Sequence, residues 1–328
     1  MLNQETFNPM IKLGVVMDPI GSINIKKDST FAMLLEAQAR GWELYYMEMA
    51  DLYLQNSSCH AFMRQLQVKD DASGWFSLSA GDCLALTELD VVLMRKDPPV
   101  DMEYIHATQL LERAEAQGVL VINKPAALRD ANEKLFTAWF GQCTCPTVVT
   151  RNLPQLKEFL NLQNDIIVKP LDAMGGSSIF RVKRGDPNTN VIFETITHNG
   201  RSYAMAQRFI PEISQGDKRI LLINGEAVPY ALARVPAEGE TRGNLAVGGK
   251  GVGVELTERD DWICRQVAPT LKEKGLIFVG LDVIGDYLTE VNVTSPTCIR
   301  ELDAQYGINI SAKLMDFIES TLRSKSKS

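Results

Sequence analysis

The sequence predicts an α/β protein whose second half turns α+β, and three observations point there. The chain opens strand, helix, strand. Further apolar strands then end in polar, charged segments. Beyond residue 165 the strands are joined by tight turns and a glycine-rich loop rather than by helices. With 328 residues the chain exceeds what one hydrophobic core usually supports, so two or three subdomains are expected.

Residues 12–17 (KLGVVM) form an apolar run stopped by Asp18-Pro19, the pattern of a buried strand and a turn. A helix follows over 28–38, capped by Asp28 or Ser29 and closed by Gly41. Residues 42–47 (WELYYM) are the next strand, which completes a β-α-β unit and predicts a parallel sheet. The stretch 55–85 reads as a hairpin-like excursion. Residues 89–94 (LDVVLM) deliver Arg95-Lys96-Asp97-Pro98-Pro99 at a carboxyl end, where open α/β sheets hold ligands. A helix over 108–117, a strand over 119–123 and a helix over 129–140 complete this half.

In the second half, 153–160 is a helix, and 165–169 and 179–183 are strands flanking a loop that contains Gly175-Gly176. Strands are expected at 203–209, 218–223 and 227–235, with Asn224-Gly225 as a hairpin turn. Residues 236–254 are glycine-rich without periodicity and read as a long mobile loop. A helix over 260–274, a hairpin of 278–284 with 287–293, and a helix over 308–322 end the chain.

Composition excludes several classes. The net charge of −7 argues against general nucleic-acid binding, which needs a basic surface. No secretory signal and no run of about 20 apolar residues is visible, so neither export nor a membrane span is expected. Six scattered cysteines form no zinc or redox spacing and read as free thiols in a reducing compartment. Neither a P-loop nor a GxGxxG fingerprint is present, and the three histidines sit in no nucleophile pattern.

Three constellations carry chemistry. Lys169 ends a strand just before the glycine loop, where backbone N–H groups and a point charge can meet phosphate oxygens. An ordinary turn is the alternative. Glu290 and Asn292 stand two apart in a strand and share a face, and with Asp282 they form an oxygen-rich set suited to Mg²⁺ held by phosphates. Two solvent-facing residues on an edge strand are the other reading. Parity supplies a test: a two-residue turn at Gly285-Asp286 would oppose Asp282 to Thr289, whereas a three-residue loop, Gly285-Asp286-Tyr287, opposes it to Glu290. The longer loop is therefore predicted. Lys134, Arg219, Arg234, Arg242 and Lys250 are the third group. Arg219 and Arg234 lie in strands, whereas Arg242 and Lys250 lie in the glycine-rich loop and suggest a lid closing over an anion; for any one of them a solvated surface charge is the other reading.

Residues 10–18 (MIKLGVVMD), 23–33 (INIKKDSTFAM), 95–99 (RKDPP), 132–140 (NEKLFTAWF), 167–176 (IVKPLDAMGG), 242–249 (RGNLAVGG) and 274–301 (KGLIFVGLDVIGDYLTEVNVTSPTCIRE) together resemble the bacterial glutathione synthetases. The resemblance runs from about Met10 to the C-terminal helix. It implies an ATP-grasp fold with an N-terminal parallel-sheet substrate domain. The implied division is a disordered extension (1–9), an N-terminal α/β domain (10–130), a lid subdomain (131–205) and a catalytic subdomain (206–322) with its mobile loop at 236–254.

The same resemblance implies ligation of γ-glutamylcysteine to glycine with ATP and Mg²⁺, or Mn²⁺, through an acyl phosphate, in a cytoplasmic homotetramer. Lys134, Ile167, Lys169, Met174, Gly175, Gly176, Gln207, Arg208, Phe209, Ile210 and Asp217 would bind the nucleotide, with Asp217 near the ribose. Asp282, Glu290 and Asn292 would hold the metal. Arg219, Arg234 and Arg242 would steady the transferring phosphoryl group. Lys27, Asp28, Arg95, Ser295, Pro296, Thr297 and Arg300 would bind peptide and glycine. Arg208 departs from the family pattern, and its side chain is expected to point to solvent while the backbone meets adenine. A D-amino-acid-joining ligase of the same fold is the nearest alternative, and a non-catalytic nucleotide-binding regulator is the alternative from another class.

Overall fold

The computed structural model describes residues 10–172, 174–237 and 249–325. The first sheet holds β1 (Lys12–Val16), β2 (Glu43–Met47), β3 (Leu52–Gln55), β4 (Ser58–Val68), β5 (Phe76–Leu78), β6 (Asp82–Ala85), β7 (Val91–Met94) and β8 (Leu120–Ile122). Strands β2, β1, β7 and β8 lie side by side and parallel, as the opening β-α-β pattern requires. Their helices are α1 (Ser29–Ala39) and α2 (Met102–Ala116). Asp28 caps α1 by accepting from Phe31 N–H at 2.6 Å, and Gly41 follows it at φ +80°. The excursion is more regular than a single hairpin: β4 extends the sheet antiparallel to β2, and β3, β5 and β6 all pair with β4.

The helix expected over 129–140 is broken in two. α3 (Pro125–Asp130) stops, and a 3-10 segment (Leu135–Cys143) begins after a gap. The Asn132 side chain takes the N–H groups of Lys134 and Leu135, which diverts donors a continuous helix would use internally.

The second sheet, in the order β11-β10-β12-β9, is antiparallel: β9 (Thr147–Thr150), β10 (Asp165–Pro170), β11 (Phe180–Lys183) and β12 (Ala204–Arg208). α4 (Leu153–Gln163) and α5 (Thr189–Ile196) accompany it. This sheet has a small core of its own, with Leu156, Leu160, Ile166, Val168, Val182 and Phe193. β9 and α5 were not legible in the sequence. α5 buries only Phe193 and Ile196, too little for a periodic signal.

The third sheet runs β15-β14-β13-β16-β17: β13 (Asp217–Ile223), β14 (Glu226–Val235), β15 (Lys250–Glu255), β16 (Phe278–Ile284) and β17 (Tyr287–Asn292). Asn224 and Gly225 both take positive φ, as a two-residue hairpin of the I′ kind demands. The expected loop 236–254 is shorter than predicted at its end, because 250–255 pairs with β14 as an edge strand. Alternating glycines at 251 and 253 hid that strand from pattern reading. α6 (Glu258–Lys274), α7 (Ile299–Tyr306) and α8 (Ile310–Lys325) complete the chain.

The first and third sheets share continuous cores. Met94, Leu111 and Val121 belong to one apolar cluster with Ile220, Leu281 and Val291. Leu13, Phe31 and Leu314 join Leu221, Leu232 and Phe278 in another. The second sheet thus stands on a separate core, facing the unit formed by the other two, and the cavities described next lie between them.

Candidate active site

Asp282 on β16 and Glu290 on β17 are directly opposed. The predicted three-residue loop is not what aligns them. Ile284 pairs with Tyr287, so the turn is Gly285-Asp286 alone, with Gly285 at φ +54°. The register instead shifts between Asp282 and Val283, where Leu288 opposes Val283 and Thr289 is left unpaired. This bulge corrects the parity that the short turn would spoil. It also turns the Thr289 carbonyl toward Lys169, whose Nζ donates to it at 3.3 Å.

Cations crowd these carboxylates. Arg219 donates to Asp282 through Nε (2.5 Å) and Nη2 (3.0 Å), and Arg234 Nη2 lies 2.8 Å from the same carboxylate. The strand register explains the fork, since Arg219 pairs directly with Asp282 across β13 and β16. Burial opposes the Asp282 charge, but Arg219 and Arg234 outweigh it and hold the carboxyl well below its usual range. Asp217 accepts from Arg234 at 2.5 Å, yet its Oδ1 is buried without a hydrogen-bond partner among the described residues. Burial pushes the Asp217 carboxyl up to about 7; Arg234 opposes this, and the charges of Asp282 and Glu290 add to it. Lys169 and Lys134, both buried, lie 3.4 Å and 3.8 Å from Glu290 Oε1.

One cavity is roofed by the second sheet and floored by the third. Its polar end has Lys134, Lys169, Asp217, Asp282 and Glu290, and its apolar end has Ile167, Met174, Phe209, Ile210 and Ile284. Gly175 and Gly176, at φ +64° and +80°, bring backbone to its edge. Gln207 is buried and donates to Thr147, which fixes the strand segment leading to Arg208 and Phe209. Every residue that the resemblance implied for the nucleotide lines this cavity. The Arg208 side chain does not point to solvent: it crosses to the third sheet, donates to the Tyr287 hydroxyl at 2.9 Å and sits over that ring.

A second cavity adjoins the first, and Lys134, Met174, Gly175 and Glu290 line both. Arg219, Arg234, Asn292, Ser295, Pro296 and Thr297 line the second one, together with Asp97, Glu133 and Cys298. Arg95 lies behind this wall, buried, donating to Thr30 Oγ1 and to the Pro296 carbonyl. Asp28 is spent partly on capping α1, and Lys27 is exposed. Arg300 points elsewhere: it pairs with Asp70 at 2.8 Å and lines a different surface cavity with Asp303. Arg242, most of the expected lid and residues 1–9 lie outside the described residues. Asp97 lies in the 95–99 segment expected to face ligand, whereas Glu133 was not singled out in the sequence, where a lone carboxylate beside a lysine carries no signal of its own.

The donor set suits a hard divalent cation. Asp282, Glu290 and Asn292 offer only oxygen to a ligand, because the Asn292 amide nitrogen already donates to the Gly280 carbonyl at 3.2 Å. Two carboxylates and one amide make an incomplete shell, fitting an ion whose other ligands are phosphate oxygens and water.

Comparison with known proteins agrees with this geometry. The family pattern of the prokaryotic glutathione synthetase N-terminal domain matches residues 11–129, and that of the prokaryotic glutathione synthetase ATP-grasp domain matches residues 133–307. The chain is 62% identical over 316 residues to the glutathione synthetase of Vibrio vulnificus strain YJ016, covering 96% of this chain and 99% of that protein. It is 63% identical over 314 residues to that of Escherichia coli strain K12, covering 96% and 99%. Among solved structures, D-cycloserine synthetase superimposes with a TM-score of 0.66 at 15% identity over 95% of this chain and 99% of that one. An ATP-grasp ligase complexed with a minimal precursor, Mg and ADP gives 0.62 at 15% identity over 95% and 98%. These two show the shared ATP-grasp fold.

Proposed function

The chain belongs to the prokaryotic glutathione synthetases, and from that premise we propose how its own residues divide the work of an ATP-grasp ligase. The carrying observation is that two cavities of different chemistry meet at Lys134 and Glu290. ATP occupies the cavity under the second sheet. Its adenine lies among Ile167, Met174, Phe209 and Ile210 and takes its polar contacts from backbone near Gln207 and Arg208. Asp217 Oδ1 accepts from the ribose. Lys134, Lys169 and the Gly175-Gly176 backbone meet the phosphates.

γ-Glutamylcysteine and glycine occupy the second cavity, which carries both signs of charge as zwitterionic substrates need. Ser295, Pro296 and Thr297 form its floor, and Arg95 holds that floor by its bond to Pro296. Lys27 and Asp28 stand outside this cavity, toward the far end of the peptide, and Arg300 is engaged by Asp70 instead.

The cysteinyl carboxylate attacks the γ-phosphorus of ATP, ADP leaves, and an acyl phosphate forms where the cavities meet. The glycine ammonium gives up a proton to solvent, the free amine adds to the acyl carbon, and phosphate departs as the nitrogen loses a second proton, leaving the amide. Asp282, Glu290 and Asn292 would hold Mg²⁺, or Mn²⁺, which would supply positive charge against the charge developing on the phosphate oxygens. Arg219 and Arg234 are held in place by Asp282 and face the transferring group, so they need no reorganisation as its charge grows. Arg242 and the segment 236–254 act as the lid that keeps water from the acyl phosphate; losing Arg242 costs on the order of 10²-fold in rate.

We assign residues 10–130 to substrate binding, 131–205 to the lid subdomain and 206–322 to the catalytic base. The assembly is a cytoplasmic homotetramer. No described helix is long and apolar enough to cross a membrane. The test is phosphate release from ATP and Mg²⁺ with γ-glutamylcysteine, with and without glycine. Release that needs both substrates supports the assignment. Release with a different amino-acid pair alone overturns it.

A further inference from the structure

Glu133 stands at the junction of the two cavities. It precedes Lys134, which lines both, and its own side chain lines the one floored by Ser295, Pro296 and Thr297. Its Oε1 accepts three hydrogen bonds: from Val293 N–H (2.8 Å), Thr294 N–H (3.0 Å) and Thr294 Oγ1 (2.9 Å). Its backbone carbonyl accepts from Val291 N–H at 2.8 Å. The carboxylate is therefore fixed in orientation by the strand that carries Glu290 and Asn292. Oε2 has no hydrogen-bond partner among the described residues, and Glu133 is only partly buried.

The other carboxylates at these cavities are engaged by cations. Asp282 has Arg219 and Arg234, Asp217 has Arg234, and Glu290 has Lys134 and Lys169. Asp97 lies in the field of buried Arg95. Glu133, like Asp97, has no ion pair among the described residues, and burial raises its carboxyl pKa against the pull of its donors from Thr294 and Val293. The fully buried Tyr104 hydroxyl also has no hydrogen-bond partner among the described residues, and it feels the charge of Glu133. A partly buried carboxylate on a cavity wall, with one oxygen tied down and no cation of its own, is a place for a cationic guest.

We propose that Glu133 receives the ammonium group of the attacking amino acid, with Oε2 accepting from its nitrogen while Oε1 stays tied to Val293 and Thr294. The assignment rests on the ligase reading above. That reaction has a nitrogen approaching an acyl carbon formed at the junction, and Glu133 is the anion at that spot with a face to spare. Substrate charge then completes the electrostatics: the cationic wall of Arg219 and Arg234 meets phosphoryl and carboxylate groups, and Glu133 meets the amine.

The test compares two nucleophiles on the full-length protein. Glycine carries a charged amine at neutral pH, whereas hydroxylamine is uncharged and traps the acyl phosphate as a hydroxamate. In Glu133→Gln the KM for glycine rises about 10- to 100-fold, the loss of one charge-assisted hydrogen bond. Hydroxamate formation, and the KM values for ATP and γ-glutamylcysteine, change by less than about threefold. Equal losses with both nucleophiles overturn the proposal in favour of a purely structural role for Glu133 on the Val293-Thr294 segment. A shift confined to the KM for γ-glutamylcysteine overturns it in favour of the peptide's own ammonium. If Glu133→Gln does not fold, Glu133→Asp carries the test, because a carboxylate set back by one methylene still raises the glycine KM while sparing hydroxylamine, and an unshifted KM sinks the idea. Failure of the ligase reading looks different: the wild-type protein itself then releases no phosphate with this substrate pair.

Discussion

Asp282 and Glu290 face each other only because Thr289 is bulged out of the ladder between them and the turn. Inserting one residue after Thr289 keeps the bulge but slips the strand beyond it by one, which sends Glu290 and Asn292 to the opposite face. The expected result is a folded protein whose Mg²⁺-dependent phosphate release falls by on the order of 10²-fold or more. Activity within a few-fold of wild type would show that this register does not orient the site.

Asp282 neutralises two buried arginines at once. Asp282→Asn keeps the shape but leaves Arg219 and Arg234 with excess buried charge, which costs about 3–5 kcal/mol of stability. Thermal unfolding measures this directly. A variant that melts like wild type would mean that the pair is solvated and that the arginines do not depend on Asp282.

Gly280 is needed for space rather than for backbone freedom. A Cβ there would come within 2.8 Å of Arg219 Cδ and 2.9 Å of Pro296 Cβ. Gly280→Ala therefore presses on a catalytic cation and on the substrate floor together, at about 1–3 kcal/mol of overpacking. Steady-state assays are expected to show a raised KM for γ-glutamylcysteine with that for ATP little changed.

Arg208 joins the second sheet to the third through Tyr287. A partly exposed cation over an aromatic ring contributes about 0.5–1 kcal/mol. Arg208→Ala is expected to raise the KM for ATP by no more than about fivefold, because adenine is held by backbone. A much larger loss would place the guanidinium itself on the nucleotide.

Asp303 gives a pH signature away from the site. Burial pushes its carboxyl up to about 6, although its Oδ1 accepts from Ile310 N–H and Arg300 is near. A carboxyl raised in the folded state binds its proton more tightly there than in the unfolded chain. Its favourable contribution is full below about pH 4, the unfolded value, and is lost as pH rises through about 6. Asp303→Asn keeps the acceptor without the charge. It is expected to be more stable than wild type by on the order of 1 kcal/mol at pH 8, after allowance for solvent screening, with the gain vanishing near pH 4. A gain that does not vary with pH would assign the effect to packing.

The local pattern carried much of the fold. The apolar run at 12–17, the Asp28 cap, Asn224-Gly225 and the spacing of Glu290 and Asn292 each act within a few residues of themselves, so their consequences can be read in order along the chain. The same holds for Lys169 before the glycine loop, which does reach the carboxylates. β15 and α5 escaped notice because glycines and a short buried face leave no period to detect.

What the sequence determined by itself was which side chains share a face and which segments are strands, because alternation and capping are properties of the local backbone. Only the tertiary structure decided that a bulge, not a longer loop, brings Glu290 to Asp282. It alone decided that Arg219 and Arg234 converge on one carboxylate, that Arg300 turns away to Asp70, and that Glu133 meets the cavity without a cation. Those outcomes depend on how buried charges neutralise one another across strands far apart in sequence, and no local spacing encodes that balance.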